Sequence, residues 1–181
     1  LKFNLKKGAI VGTSSTRRKS QLLAFRPDLK VKDLRGNLPT RINKLRLGNY
    51  DAIMLAKAGV ERLDLDLDEF TVEKLNPCEF VPAPAQGVLG LQIRENDVEL
   101  AKLLSQLNHT AVQQRIAVER KVLNLLQGGC QLPLGVYCPD EQNVYVSYGE
   151  NWEDGAILAH YEVEDLENIA EIIVEDLQNP E

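Results

Sequence analysis

The sequence predicts an α/β chain, with a mostly parallel, helix-covered sheet in its first half and a small α+β unit at its end. Three observations lead there. Strand-like and helix-like segments alternate three times within about 55 residues, the pattern of parallel strands joined by crossover helices. The stretch CEFVPAPAQG at 78–87, with prolines at 82 and 84, interrupts that alternation and reads as a crossing between domains. Beyond it come a strand-like segment, two helix-like runs, further short strand-like ones and a last helix.

Each element has its own signal. AIVG at 9–12 is the first expected strand, with Ser14 or Ser15 capping the next helix and Pro27 closing it. LKVKDL at 29–34 is the second strand, and LPTRINKLRLGN at 38–49 its helix, with Pro39 in the first turn and Gly48 just past the end. YDAIMLA at 50–56 is the third strand, running into KAGVERL. After the crossing, VLGLQI at 88–93 is strand-like, and NDVELAKLLSQLN at 96–108 puts Leu100, Leu103, Leu104 and Leu107 on one helical face. Thr110 and Gln113 form a T-x-x-Q capping box for a helix that runs toward the glycines at 128 and 129. Strands near 132–138, 143–148 and 155–163 precede a helix with Leu166, Ile169, Ala170, Ile173 and Leu177 on one face.

Composition narrows the function classes. The chain has 181 residues, 44% hydrophobic and 27% charged, enough for one substantial core or two small ones. No apolar run approaches the ~20 residues of a membrane span, and no secretory signal opens the chain, so the expected compartment is the cytoplasm. The first residue is Leu1 rather than methionine, and the expectation is a piece of a longer protein. Cys78, Cys130 and Cys138 are an odd set without a CxxC pair, which indicates neither a disulfide framework nor a zinc cluster. Residues 1–62 hold 15 Lys and Arg against 4 Asp and Glu, whereas residues 63–181 hold 6 against 23. That asymmetry is either an anion-binding region near the front or a solvated basic face.

Two βα turns carry the clearest chemistry. In GTSSTRRK, Arg17, Arg18 and Lys19 occupy the first turn of a helix, where the macrodipole disfavours cations. Either they point into water, or the hydroxyls of Thr13, Ser14 and Ser15, the free N–H groups and the guanidiniums hold a phosphate or carboxylate. LRGNLPTR repeats the arrangement, with Arg35 after a strand, Gly36 allowing a tight turn and Arg41 in the next helix's first turn. The crevice outside the strand ends is where open α/β sheets bind ligands, and several arginines there suit a polycarboxylate better than a single phosphate. Lys57 and Arg62 follow the third strand, Arg62 being equally a surface residue. Few aromatics and no nucleic-acid motif argue against a nucleic-acid partner. Cys78 and Cys138 read as core residues. Cys130, in QGGCQLPLG at 127–135, is either a buried structural thiol or a reactive one in a glycine-flanked loop. His109 and His160 are isolated, without hydrolase or zinc spacing.

Five segments in order, GTSSTRR, LRGNLPTR, YDAIMLAKAGVERL, PAPAQGVLGLQIR and ERKVLNLLQGGCQLPLG, resemble the porphobilinogen deaminases, or hydroxymethylbilane synthases, over nearly the whole chain. The resemblance implies an enzyme of tetrapyrrole synthesis that joins porphobilinogen molecules, with loss of ammonia, on a dipyrromethane primer bound as a thioether to Cys130. It implies that Thr13, Ser15, Arg17, Arg18, Arg35 and Gly36 hold the cofactor, and that Arg41, Arg62 and Gln86 hold substrate side chains. It further implies half of a periplasmic-binding-protein-like (type II) pair at 1–85, a strand and helix at 86–108 that complete a preceding domain, and an α+β domain at 109–181 carrying the cofactor cysteine.

The family's catalytic aspartate would lie before Leu1, so these residues alone are expected to be inactive, with Cys130 unmodified. The leucine face of 88–107 would then favour a dimer. The contrasting reading is a small-anion binding module without covalent chemistry. No metal or membrane partner is expected.

Overall fold

The computed structural model describes residues 2–127, 129 and 131–179. A short parallel sheet forms from β1 (Ile10–Gly12), β2 (Lys30–Lys32) and β3 (Ala52–Ile53) in the order β2-β1-β3. Its register pairs Val11 with both Val31 and Ala52. Helices α1 (Thr16–Phe25), α2 (Leu38–Arg46) and α3 (Lys57–Arg62) follow the strands in turn, as the alternation in the sequence requires. Ser15 caps α1, Asn37 caps α2 by accepting the Thr40 N–H at 2.9 Å, and Pro39 sits in the first turn of α2. The apolar cluster here is small: Ala9, Val11, Leu22, Leu29 and Phe80 are buried. Phe80 and Phe25 meet Phe3 edge to face, with centroids 6.2 and 6.0 Å away.

A second sheet is antiparallel, with β4 (Leu134–Tyr137), β5 (Asn143–Tyr148) and β6 (Ile157–Glu162) in sequence order. Its inner face packs on α5 (Thr110–Leu125) and α6 (Ile169–Gln178). Ile169, Ala170, Ile173 and Leu177 of α6 are buried there, as their spacing predicts, with Leu166 partly buried beside them. Val118 and Val122 from α5 and Leu134, Val136, Cys138, Val144 and Val146 from the sheet complete this core.

Several sequence expectations are corrected. VLGLQI at 88–93 forms no strand; it is irregular, with Leu89 82% and Leu91 63% exposed, because no neighbouring edge supplies the ladder a strand needs. Helix α4 (Val98–Ser105) does form, capped by Asp97, but Leu103 and Leu107 on its apolar side remain exposed. The T-x-x-Q box is not made: His109 is the cap residue without a side-chain bond, and Gln113 instead accepts from the Asn108 carboxamide at 2.7 Å. Cys78 lies half-buried in a turn, its N–H donating to Asn76 Oδ1, rather than in a core strand. Among the described residues no helix is long and apolar enough to cross a membrane.

The segment 80–86 joins the two sheets. Gln21 on α1, fully buried, forms a paired bond with the Val81 backbone, donating to its carbonyl at 2.9 Å and accepting its N–H at 2.7 Å. On the other side the Val136 N–H of β4 donates to the Pro82 carbonyl at 3.1 Å. A Cβ on Gly135 would lie 2.8 Å from the Val81 carbonyl oxygen, so only glycine admits this approach.

Candidate functional site

The carboxyl ends of β1, β2 and β3 lead into three turns that side-chain bonds tie together. The Ser14 hydroxyl donates to the Leu34 carbonyl and accepts the Leu34 N–H, both at 3.0 Å, binding the β1–α1 turn to the β2–α2 turn. Arg18 Nη1 donates to the Met54 carbonyl at 3.1 Å, binding α1 to the end of β3. Arg41 Nε donates to the Gly36 carbonyl at 2.7 Å and closes the β2–α2 turn. Gly36 has φ +116°, a conformation L side chains rarely adopt, and a Cβ there would lie 2.8 Å from the Thr40 methyl.

The arginine patterns place guanidiniums at this rim. Arg17 is buried, with Nη1 donating to the Val81 carbonyl at 2.6 Å and Nη2 to Gln86 Oε1 at 3.2 Å. Burial, and secondarily the neighbouring Arg18 charge, pulls its pKa down to about 10. Arg18, half-buried, is lowered by burial and then by the charge of Arg41. The Arg18 charge thus acts on Arg17, and the Arg41 charge on Arg18. Among the described residues neither Arg17 nor Arg18 meets a carboxylate; both donate to neutral carbonyl oxygens. Asp33, at the end of β2, is engaged by Lys19 at 2.6 Å, which holds its carboxyl below the usual range. Desolvated like charges without a counter-charge are unfavourable, and an anion bound among them removes that cost.

The remaining sequence-derived positions differ in placement. Thr13 is buried, its hydroxyl oxygen accepting the Ser15 N–H at 3.3 Å, while Ser15 accepts the Arg18 N–H at a loose 3.5 Å. Arg35 is exposed on the β2–α2 turn. Gln86 is exposed and brought to the rim through its bond to Arg17. Arg62 stands exposed in the last turn of α3, away from any bond that would tie it to the other arginines, and Lys57 is taken up by a solvated pair with Glu61 at 3.5 Å. Cys130 lies outside the described residues. Two buried side chains escaped the sequence reading: Gln21, and Glu119 of α5, which accepts the Ala85 N–H at 2.6 Å and the Cys138 N–H at 3.0 Å. No short-range pattern marks either, because their partners lie 60, 34 and 19 positions away.

Comparison with known proteins bears on this arrangement directly. The family model for the porphobilinogen deaminase, dipyromethane cofactor binding domain, matches residues 2–102, which include all three turns and the crossing segment. A porphobilinogen deaminase of Bacillus cereus is 48% identical over 139 residues, covering 77% of this chain and 45% of that relative. The same enzyme of Bacillus mycoides is 46% identical over 140 residues, and that of Bacillus anthracis 47% identical over 139, with the same 77% and 45% coverage. The chain thus spans about half the length of the curated relatives it matches. A family match over more than half of its residues, centred on the arginine rim, establishes that the chain belongs to the porphobilinogen deaminase family.

Proposed function

We propose that these residues form the cofactor- and substrate-holding part of a hydroxymethylbilane synthase, a transferase that links porphobilinogen molecules into a linear tetrapyrrole with release of ammonia. The observation that carries this reading is the pair Arg17 and Arg18, desolvated beside Arg41 and facing only neutral oxygens. A dipyrromethane primer bears several carboxylates, and such a set of guanidiniums fits it. When bound, that group supplies the pyrrole carbon to which each incoming ring is joined.

The chain's own residues bind and orient. Arg17, Arg18 and Arg35 pair with primer carboxylates, and Arg41, Arg62 and Gln86 with those of the incoming pyrrole. Thr13, Ser15 and Gly36 shape the turns around them. Cys130 is the attachment point. In this reading residues 1–85 are one lobe of a periplasmic-binding-protein-like pair, 86–108 complete a further domain, and 109–181 are the cysteine-bearing domain of a cytoplasmic enzyme. In the isolated 181-residue polypeptide the exposed leucines of 88–107 are covered by a second copy, so sedimentation should show a dimer.

Condensation also needs a group beside the pyrrole nitrogens to stabilise cationic intermediates, and guanidiniums cannot supply negative charge. The arginine rim by itself therefore binds without catalysing, and we propose that the 181 residues alone are inactive and carry a free Cys130. Titration with porphobilinogen tests the binding claim: saturable binding that weakens about tenfold in Arg17→Met and in Arg18→Met supports it, and binding indifferent to both substitutions overturns it. Intact mass, with an acidic aldehyde colour test for pyrroles, checks the second claim. A two-pyrrole adduct would overturn the inactivity claim while leaving the binding claim standing.

A further inference from the structure

The crossing segment is gripped from two sides, and only one grip belongs to the arginine rim. On the rim side, Arg17 and Gln21 hold Val81, and Gln86 Oε1 accepts both from Arg17 Nη2 at 3.2 Å and from the Ala83 N–H at 3.4 Å. On the other side stands Glu119, 5% exposed in α5. Its Oε2 accepts from Ala85, the residue before Gln86, at 2.6 Å, and its Oε1 accepts from Cys138, just past β4, at 3.0 Å. Arg115, one helical turn earlier, donates to the Ala111 and Pro139 carbonyls, so the hydrogen bonds to the buried carboxylate come from backbone amides, with the Arg115 charge a lesser favourable influence.

Burying an acid for this purpose is costly, and desolvation pushes the Glu119 carboxyl up despite both amide bonds. Yet a carboxylate is the one side chain with two acceptor oxygens for two separate donors. A carboxamide in its place offers one oxygen and turns an N–H toward the other amide.

We propose that Glu119 is a positioning residue for the anion site: by holding the Ala85 and Cys138 amides together it fixes the 81–86 segment on the antiparallel unit and so sets the reach of Gln86 and Arg17. The inference rests on reading the arginine rim as an anion site.

The test is citrate binding to the full chain, read by the single tryptophan. Trp152 has Lys19 Nζ 4.5 Å from its ring centroid, and Lys19 is the neighbour of Arg18. Glu119→Gln should weaken citrate binding about tenfold, measured well below the unfolding temperature. Electrostatics alone gives the opposite sign, since removing a negative charge strengthens binding of an anion. Unchanged or tighter binding in the variant therefore overturns the proposal and leaves the anion site intact. No citrate binding by the wild-type chain overturns the anion-site reading and this inference with it. Should the variant fail to fold, amide exchange in the wild-type chain decides. Citrate should slow exchange at Ala85 and Cys138 by reciprocal coupling, and unchanged exchange there overturns the proposal.

Discussion

The parallel and antiparallel units are built on opposite terms. In the antiparallel unit a cluster of twelve buried residues, all apolar apart from the Cys138 thiol, fills the space between one sheet and two helices, with Ser147 and Glu119 the buried polar side chains beside it. The parallel unit has strands of three, three and two residues over a cluster of five buried apolar side chains, with Leu34 and Ile42 buried outside it. Its interior also admits Thr13, Arg17, Ser20, Gln21 and Arg26. There, side-chain bonds to the backbone do what apolar contact does in the other unit. The difference teaches that the region holding the candidate site gives up core for polar groups, and leans on the crossing segment and the second sheet for its shape.

The largest expected contrast is chemical. Burial, and then the nearby Glu119 charge, pushes the Cys138 thiol up to about 12. At pH 8 its thiolate fraction is then about three orders of magnitude below that of an ordinary thiol, so alkylation in the folded protein should be slower by about that factor. Peptide mapping after timed iodoacetamide labelling checks this, and labelling of Cys138 as fast as that of half-buried Cys78 would break the account of a sealed core.

Next comes packing. Ile173→Ala, at a fully buried position, should cost about 2–5 kcal/mol in urea unfolding, whereas Leu22→Ala in the thinner parallel unit should fall near the low end of that range. The reverse order would erase the distinction between the units. Arg17→Met should leave stability within about 1 kcal/mol, because it trades a buried, unpaired charge for an apolar chain of similar length. It should nevertheless lower polycarboxylate affinity about tenfold. A large loss of stability without a loss of affinity would recast Arg17 as a purely structural residue.

The smallest effect is a pH dependence confined to the parallel unit. Bonds from Arg26, then from the Gly8 N–H, hold the Asp28 carboxyl well below its usual range. A depressed folded-state value means that the contribution is present above the unfolded value of about 3.9 and is lost as pH falls below it. The stability difference between wild type and Asp28→Asn should therefore be steady from pH 7 to 5 and shrink between about pH 4 and 2. Urea midpoints at pH 7 and 3 measure it, and a difference that grows on acidification would contradict the assignment.

What could be read in the sequence tracks the range of the interactions. Strand β5 begins and ends where its alternation predicts, and the α6 face is the one its spacing marks, because both signals are local. The βα alternation and the paired arginine turns were legible for the same reason. The 88–93 segment misled because apolar, β-prone residues make a strand only beside a partner edge. Cys78 misled because an apolar neighbourhood in sequence need not be one in space. Gln21 and Glu119 had no local signature at all, since each acts on backbone groups in the crossing segment or at the end of β4.

The proline-bearing crossing segment also limits how the second sheet associates with other chains. It lies along the outer edge of β4, where the Pro82 carbonyl takes the Val136 N–H and the Val81 and Pro82 oxygens crowd Gly135. Pro82 and Pro84 have no N–H to offer outward, so this flank accepts from β4 but presents fewer donors to an incoming strand. Edge-to-edge pairing of two molecules, the usual first step of sheet aggregation, is thereby directed to the β6 side, where His160 and Glu162 stand on the strand an intruder would have to approach.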